Sequence, residues 1–417
     1  MQIQRDFYLR QLIDGRQNGL IKIVTGIRRC GKSYLLFRLF YQYLIADGVA
    51  DGHIIRIALD DIENAELREP LKLYRHIKQL MKDEGMHYIL LDEVQLVERF
   101  EEVLNSLLRL DNADVYVTGS NSRFLSSDIV TEFRGRGDEI RLFPLSFSEY
   151  CRGTGKEPAA AWRDYSVYGG LPQVLSLESD KKKLDYLSNL FSSVYLVDIL
   201  ERHRIKNKGE FEELTNIIAS VIGAPTNPSK LSNTFKSIKK VDISSTTIDK
   251  YLSYMQDAFM IEKAIRYDIK GKKYIGSLSK FYFVDLGLRN ALLGMRQMEE
   301  SHIMENIIYN ELRCRGYKVD VGMTEYRFRD SDGSWQRKQL EVDFVVNAGN
   351  DRFYIQSALA IPDEEKRRQE SASLLKIKDS FKKIIIVKDD IKPWTDNNGI
   401  TTIGLFDFLL NTVNIIL

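Results

Sequence analysis

The chain has 417 residues, 44% of them hydrophobic and 29% charged, with a net charge of +1. That length exceeds what one hydrophobic core usually supports, so two to four domains are expected, and the apolar content excludes a disordered chain. The near-zero charge excludes a global pull on nucleic acid, so any such binding has to come from a local basic patch.

Residues 1–20 predict a short amphipathic helix with Phe7, Leu9 and Leu12 inward, and Ile21 to Thr25 then forms a compact apolar run ending at Gly26, a buried strand feeding a turn. Similar runs recur at His53 to Leu59, His87 to Leu91 and Val115 to Thr118, separated by helical patterns over Lys32 to Ala46, Leu71 to Lys82 and Glu98 to Leu110. Strands alternating with helices predict a parallel sheet covered on both faces. Past Pro144 helical periodicity fills the chain to about Ala224, interrupted by the turn at Gly169 to Pro172. Two further helices and a hairpin follow, with strands at Met260 to Tyr267 and Phe281 to Val284 around the Gly271-Lys272-Lys273 turn. The end of the chain reads as a separate α/β unit: a helix around Ile303 to Arg313, strands at Glu341 to Asn347, Arg352 to Ser357 and Lys383 to Val387, and a last apolar segment from Phe406.

No apolar run reaches the ~18 residues that cross a bilayer, and the opening residues are charged, so a cytoplasmic protein with no membrane-spanning helix is expected. Cys30, Cys151 and Cys314 are far apart and lack the paired spacing of a disulfide framework or a cysteine zinc site.

Gly26-Ile27-Arg28-Arg29-Cys30-Gly31-Lys32-Ser33 matches G-x-x-x-x-G-K-[ST] and lies between a predicted strand and a predicted helix, where its mechanism needs it. Glycines let backbone N–H groups wrap a phosphate, and the helix that follows, opening on Lys32, Ser33 and Tyr34, aims its positive end at the same anion. Lys32 then reaches the terminal phosphates of ATP and Ser33 offers a hydroxyl to Mg²⁺. Cys30, close to a helix N-terminus, is either an oxidation-sensitive thiol or a filler of the loop. Tyr88 to Glu93 supplies the second element, an apolar strand ending in two acids: Asp92 for the metal shell and Glu93 to polarise the attacking water. Thr118-Gly119-Ser120-Asn121 ends the next strand, where Ser120 or Asn121 would sit near the terminal phosphate unless the stretch is an ordinary polar turn. Arg134 and Arg136, in Phe133 to Gly137, are either solvated loop residues or arginines that reach a neighbouring active site.

These motifs, with Leu91-Asp-Glu-Val-Gln95, Pro144 to Tyr150 and Tyr168-Gly-Gly-Leu-Pro172, resemble a family of prokaryotic AAA-type ATPases along nearly the whole chain. The resemblance implies an α/β P-loop core over residues 1–147, a helical lid over 148–224, a winged helix over 225–296 and a restriction-endonuclease-like domain over 297–417. It implies ATP hydrolysis, with Walker A residues at Gly26, Gly31, Lys32 and Ser33, Walker B residues at Asp92 and Glu93, a sensor at Ser120 and a loop arginine at Arg136.

The winged-helix resemblance rests on Lys230 to Ile238, on Ser245 to Met255, where Thr246 to Tyr251 would open a recognition helix, and on the hairpin with Lys270, Lys272 and Lys273. Residues 201–280 hold 15 Lys/Arg against 9 Asp/Glu, a local surplus suited to phosphates, although winged helices serve equally as protein contacts. DNA, a protein and a second copy of the chain therefore all stay open as partners. In the last domain the acids expected at a nuclease centre are Glu305 or Glu311 and Asp343, but Gln356-Ser357-Ala358 stands where the pattern wants an acid and a lysine. Without that amine, nuclease chemistry is expected to be lost.

Overall fold

The computed structural model describes residues 3–119, 135–329 and 332–411. The chain divides into two compact units. The first comprises Met1–Pro144 with Leu171–Ser176 and Asp257–Phe259, and the second holds the remainder.

The first unit is a five-stranded parallel sheet in the order β2-β3-β4-β1-β5, made of β1 (Ile21–Thr25), β2 (Ile54–Ala58), β3 (His87–Asp92), β4 (Ala113–Thr118) and β5 (Gly137–Arg141). Strands β1, β3 and β4 are buried along nearly their whole length, as expected of a sheet covered on both faces. On one face Ile23, Ile57, Ile89, Leu91, Val115 and Val117 pack against Leu73 and Ile77 of helix Pro70–Leu80 and Val103, Leu104 and Leu107 of helix Phe100–Leu107. On the other, Lys22 is fully buried and pairs with Asp114, which also accepts from the Tyr116 hydroxyl at 2.8 Å.

One expectation needs correcting here. Helix Asp6–Asp14 buries Tyr8 and Leu12 and leaves Phe7 exposed, and the buried Arg5 guanidinium lies over the Tyr8 ring at 4.8 Å. Strand β5 follows the loop at Phe133 to Gly137, where only a strand-like pattern without bounds is legible: Gly137-Asp-Glu-Ile-Arg141 has one buried apolar residue, and its pairing with β1 rather than its own composition makes it a strand.

The second unit begins with helices Phe147–Thr154 and Pro158–Tyr168; the first carries a capping box between Ser146 and Glu149. Its sheet has eight strands in the order β12-β13-β11-β10-β9-β8-β6-β7. They are β6 (Ile261–Asp268), β7 (Lys273–Phe283), β8 (Lys318–Arg329), β9 (Trp335–Ala348), β10 (Asp351–Ala358), β11 (Lys382–Val387), β12 (Trp394–Thr395) and β13 (Ile400–Gly404). The hairpin assigned to the winged helix is β6 and β7, and it joins the larger sheet: β6 pairs in parallel with β8 through Arg266 beside Val321 and Asp268 beside Met323. The α/β part read as a separate last unit therefore starts with that hairpin. The second hairpin strand is also far longer than Phe281 to Val284, since β7 begins at Lys273. Strand β8 was missed because its second half is charged and exposed; antiparallel pairing with β9, from Val319 beside Val346 to Arg329 beside Trp335, holds it extended.

Candidate nucleotide site

The site is built where β1, β4 and β3 end side by side. Strand β4 lies between the other two, so Thr118 at its end is flanked by Thr25 and by Asp92. This interposed strand is what the sequence could not supply, because the order of strands in a parallel sheet is not written in their spacing.

After Thr25 the backbone turns through Gly26 at φ 138°, where a β-carbon would lie 2.1 Å from the carbonyl oxygen of Leu142. Only glycine allows so close an approach. Arg29 and Gly31 also take positive φ, and the helix then runs on through Lys32–Tyr34, a π segment Leu35–Phe40 and Tyr41–Ala46. Ile27 and Cys30 are buried and pin the loop from below, while Arg28 is half-buried and Arg29 and Ser33 are exposed. Cys30 touches the Leu142 carbonyl through its sulfur at 3.5 Å, and burial pushes its thiol up, so it is a packing residue and not a reactive thiolate. Arg5 fixes the loop from behind, donating to the carbonyls of Cys30 at 3.2 Å and Phe143 at 2.7 Å. Nothing in the sequence marked this arginine, since its partners are backbone atoms 25 and 138 residues away.

Lys32 is buried and its ammonium donates to the Gly26 carbonyl at 3.0 Å and the Ile27 carbonyl at 3.2 Å. It thus lies inside the curl of the loop, with a charge only partly answered by two carbonyl dipoles. Opposite it, Asp92 is buried at the end of β3 and bonded by the hydroxyls of Ser33 and Thr118. Burial first, and then the charges of Glu93 and Asp60, raise its carboxyl above the ordinary range, while those two hydroxyls pull it down. Glu93 follows in the left-handed region at φ 52°, uncommon for a residue with a side chain. Its backbone N–H donates to the Thr118 hydroxyl at 3.0 Å, and its carboxylate accepts from the Gln95 amide.

Of the residues singled out from sequence, Gly26, Gly31, Lys32, Ser33, Asp92 and Glu93 come together. Ser120, Asn121 and Arg134 lie outside the described residues. Arg136 does not join the group: it precedes β5 beside Ile21, at the entry end of β1, and bonds Asn105 at 3.2 Å. Five residues of strand, roughly 16 Å, separate that position from the phosphate loop. Thr118 is the residue sequence reasoning passed over; a hydroxyl at the end of the strand beside the acid pair was the available signal.

The second unit gathers another cluster. The Lys280 ammonium sits 2.8 Å from Glu305, 2.7 Å from Glu341 and 3.9 Å from Asp343, and Tyr282 donates to Glu305 at 2.7 Å. Glu311 is elsewhere, paired with Arg315 at 2.9 Å. The amine that is missing at 356–358 is therefore present in space, brought in by β7. Burial and the neighbouring Glu305 push Asp343 up to about 7, while Ser357 bonds it through N–H at 2.8 Å and hydroxyl at 3.1 Å. Burial alone would lower Lys280, but Glu305, Asp343 and Glu341 together hold it above its ordinary value.

A parallel sheet whose first strand runs through a glycine-turned loop into a helix, with one strand between it and a strand leading into two acids, defines a P-loop nucleotide-binding core. Residues 18–151 match the family model described as an AAA domain, and residues 159–299 match one described as a Domain of unknown function (DUF8612). A Haemophilus influenzae protein described as "Uncharacterized protein" is 34% identical over 414 residues, covering 98% of both chains. A Methanocaldococcus jannaschii protein, "Uncharacterized protein MJ1544", is 29% identical over 377 residues, covering 86% of this chain and 79% of its own. Among solved structures, the Walker-type ATPase PABY2304 of Pyrococcus abyssi overlaps 70% of this chain and 96% of its own at 16% identity and a TM-score of 0.49. The chain belongs to the same family as the Haemophilus influenzae protein, with an AAA domain of the P-loop class in its N-terminal part.

Proposed function

We propose that the protein hydrolyses ATP to ADP and phosphate with Mg²⁺ and uses the cycle to remodel or switch a bound partner. The convergence of Lys32, Ser33, Asp92, Glu93 and Thr118 at the ends of three adjacent strands carries this reading. A bound Mg²⁺–ATP supplies the polyphosphate to be cleaved and the charge that screens it. The residues fit such a group. Lys32 would exchange its two carbonyl partners for phosphate oxygens, the loop amides would face the same anion, and Ser33 and Asp92 would hold the cation. Glu93, fixed through its own N–H and by Gln95, would orient and deprotonate the attacking water.

Arg136, distant from its own phosphate loop, would serve only a neighbouring copy, which ties that role to a homo-oligomer. For the partner, the exposed Thr246, Lys250, Lys270 and Lys272 favour DNA, with the side chain of Lys273 outside the described residues. Lys280, Glu305 and Asp343 are each no more than 9% exposed and the Lys280 ammonium is engaged by Glu305 and Glu341, which favours a structural cluster over a nuclease centre. Mg²⁺- or Mn²⁺-dependent DNA cleavage abolished by Asp343→Ala would overturn that part.

The test of the whole is phosphate release by wild type and Glu93→Gln, with and without duplex DNA. Wild type should turn over, Glu93→Gln should bind ATP and turn over at a rate about 10²–10⁴-fold lower, and Lys32→Ala should bind ATP poorly. Unchanged turnover in Glu93→Gln would move the base elsewhere. Turnover indifferent to DNA, with assembly driven by another protein, would favour a nucleotide-controlled scaffold.

A further inference from the structure

At the opposite end of the first unit's sheet three metal-ligating side chains meet. His53 closes a short turn, Asp51–His53, just before β2; Asp83 lies in the loop before β3; His87 is the first residue of β3. Strands β2 and β3 are neighbours, with Ile54 beside Tyr88, so the three residues gather at the entry ends of both. One ligand atom from each lies within 4.8 Å of the other two.

His87 is the residue that points to a ligand. It is fully buried, and its Nδ1 lies 2.7 Å from the Gly85 carbonyl, an acceptor only. In the neutral ring Nδ1 therefore carries the proton and Nε2 keeps a lone pair. That nitrogen is buried and has no hydrogen-bond partner among the described residues. An imidazole oriented by a backbone carbonyl through one nitrogen, with the other left bare, is the arrangement by which proteins present histidine to a metal. The rings of His87 and His53 are 4.7 Å apart.

Asp83 is oriented in the same way. Its Oδ1 accepts from the Gly85 N–H at 2.8 Å and its Oδ2 lies 3.0 Å from His53 Nε2. The loop is closed tightly: a β-carbon on Gly85 would fall 2.7 Å from His53, and the Asn112 side chain donates to the Asp83 carbonyl at 3.2 Å.

We propose that His53, Asp83 and His87 bind one divalent transition metal, Zn²⁺ foremost, with water at the fourth position. Two imidazoles and one carboxylate suit Zn²⁺ and its borderline neighbours over Mg²⁺ or Ca²⁺, which take oxygen ligands. Ligand bonds of about 2.0–2.2 Å place tetrahedral donors roughly 3.3 Å apart. Closing from the present spread of donor atoms asks for a shift of about an ångström from His53, half-buried in its short turn, and from Asp83, exposed in its loop. The ion would tie the entry of β2 to that of β3, and does so whether or not the nucleotide is hydrolysed.

The experiment uses the full chain, stripped with chelator and titrated with Zn²⁺ alone by calorimetry and with Co²⁺ by visible absorption. One equivalent should bind, and Co²⁺ should give the strong visible bands of a four-coordinate site. His53→Ala, at a half-buried residue, and Asp83→Asn, at an exposed one, should each weaken Zn²⁺ binding by at least the ~10–100-fold that losing an outer partner costs. Nucleotide binding by both variants serves as the folding control. No Zn²⁺ uptake by wild type, or an affinity unmoved in both variants, overturns the site.

Discussion

Replacing Thr118 by valine keeps the shape of the side chain and removes one oxygen, which is the hinge of the acid pair. That oxygen accepts from the Glu93 N–H at 3.0 Å and donates to Asp92. Losing the first bond strands a half-buried N–H, and losing the second removes a hydrogen bond to a carboxylate; each is worth about 1–3 kcal/mol. They share an atom and are not additive, so a loss of about 2–4 kcal/mol in the stability of the first unit is expected. The kinetic effect should be larger than the change in affinity. Glu93 is held at φ 52° only by its surroundings, and a base released from that position should lose on the order of 10–100-fold of the 10²–10⁴ that general-base catalysis provides. The assay is steady-state phosphate release across ATP and Mg²⁺ concentrations, with urea unfolding alongside. A fall in kcat with little change in KM is expected, and Thr118→Ser, which restores the hydroxyl, should recover most of it. Turnover of Thr118→Val within about two-fold of wild type, or a serine variant as poor as valine, would refute the reasoning.

Gly26→Ala should lose nucleotide binding and cost about 3 kcal/mol or more, because its methyl group meets the Leu142 carbonyl at 2.1 Å and its φ of 138° is foreign to alanine; fluorescent-nucleotide titration and urea unfolding read both. Asp343 makes a prediction about pH. Its folded pKa of about 7 lies above an unfolded value near 3.8, so between those limits the native state holds a proton that the unfolded state has released. Stability contributed by this group is therefore full in acid and lost as pH rises from about 4 to about 7, on the order of 4 kcal/mol in all. Asp343→Asn should remove that slope from the urea-unfolding profile of the second unit, with its largest gain over wild type above pH 7; parallel profiles for the two proteins would contradict it.

The sequence by itself determined the glycine-turned loop between β1 and the helix after it, because Gly26, Gly31, Lys32 and Ser33 shape it through local backbone and fixed spacing, and it determined the alternation of buried strands and helices around it. It also marked Asp92 and Glu93, since an apolar run ending in acids is a local pattern. Tertiary structure decided what depends on distant neighbours. Pairing with β1 made a strand of Gly137 to Arg141, interposing β4 brought Thr118 to the acids, and Arg5 reached carbonyls far along the chain. The same holds for Lys280 among its carboxylates and for His87 facing His53 and Asp83, because strand order in a sheet places together residues that no periodicity relates.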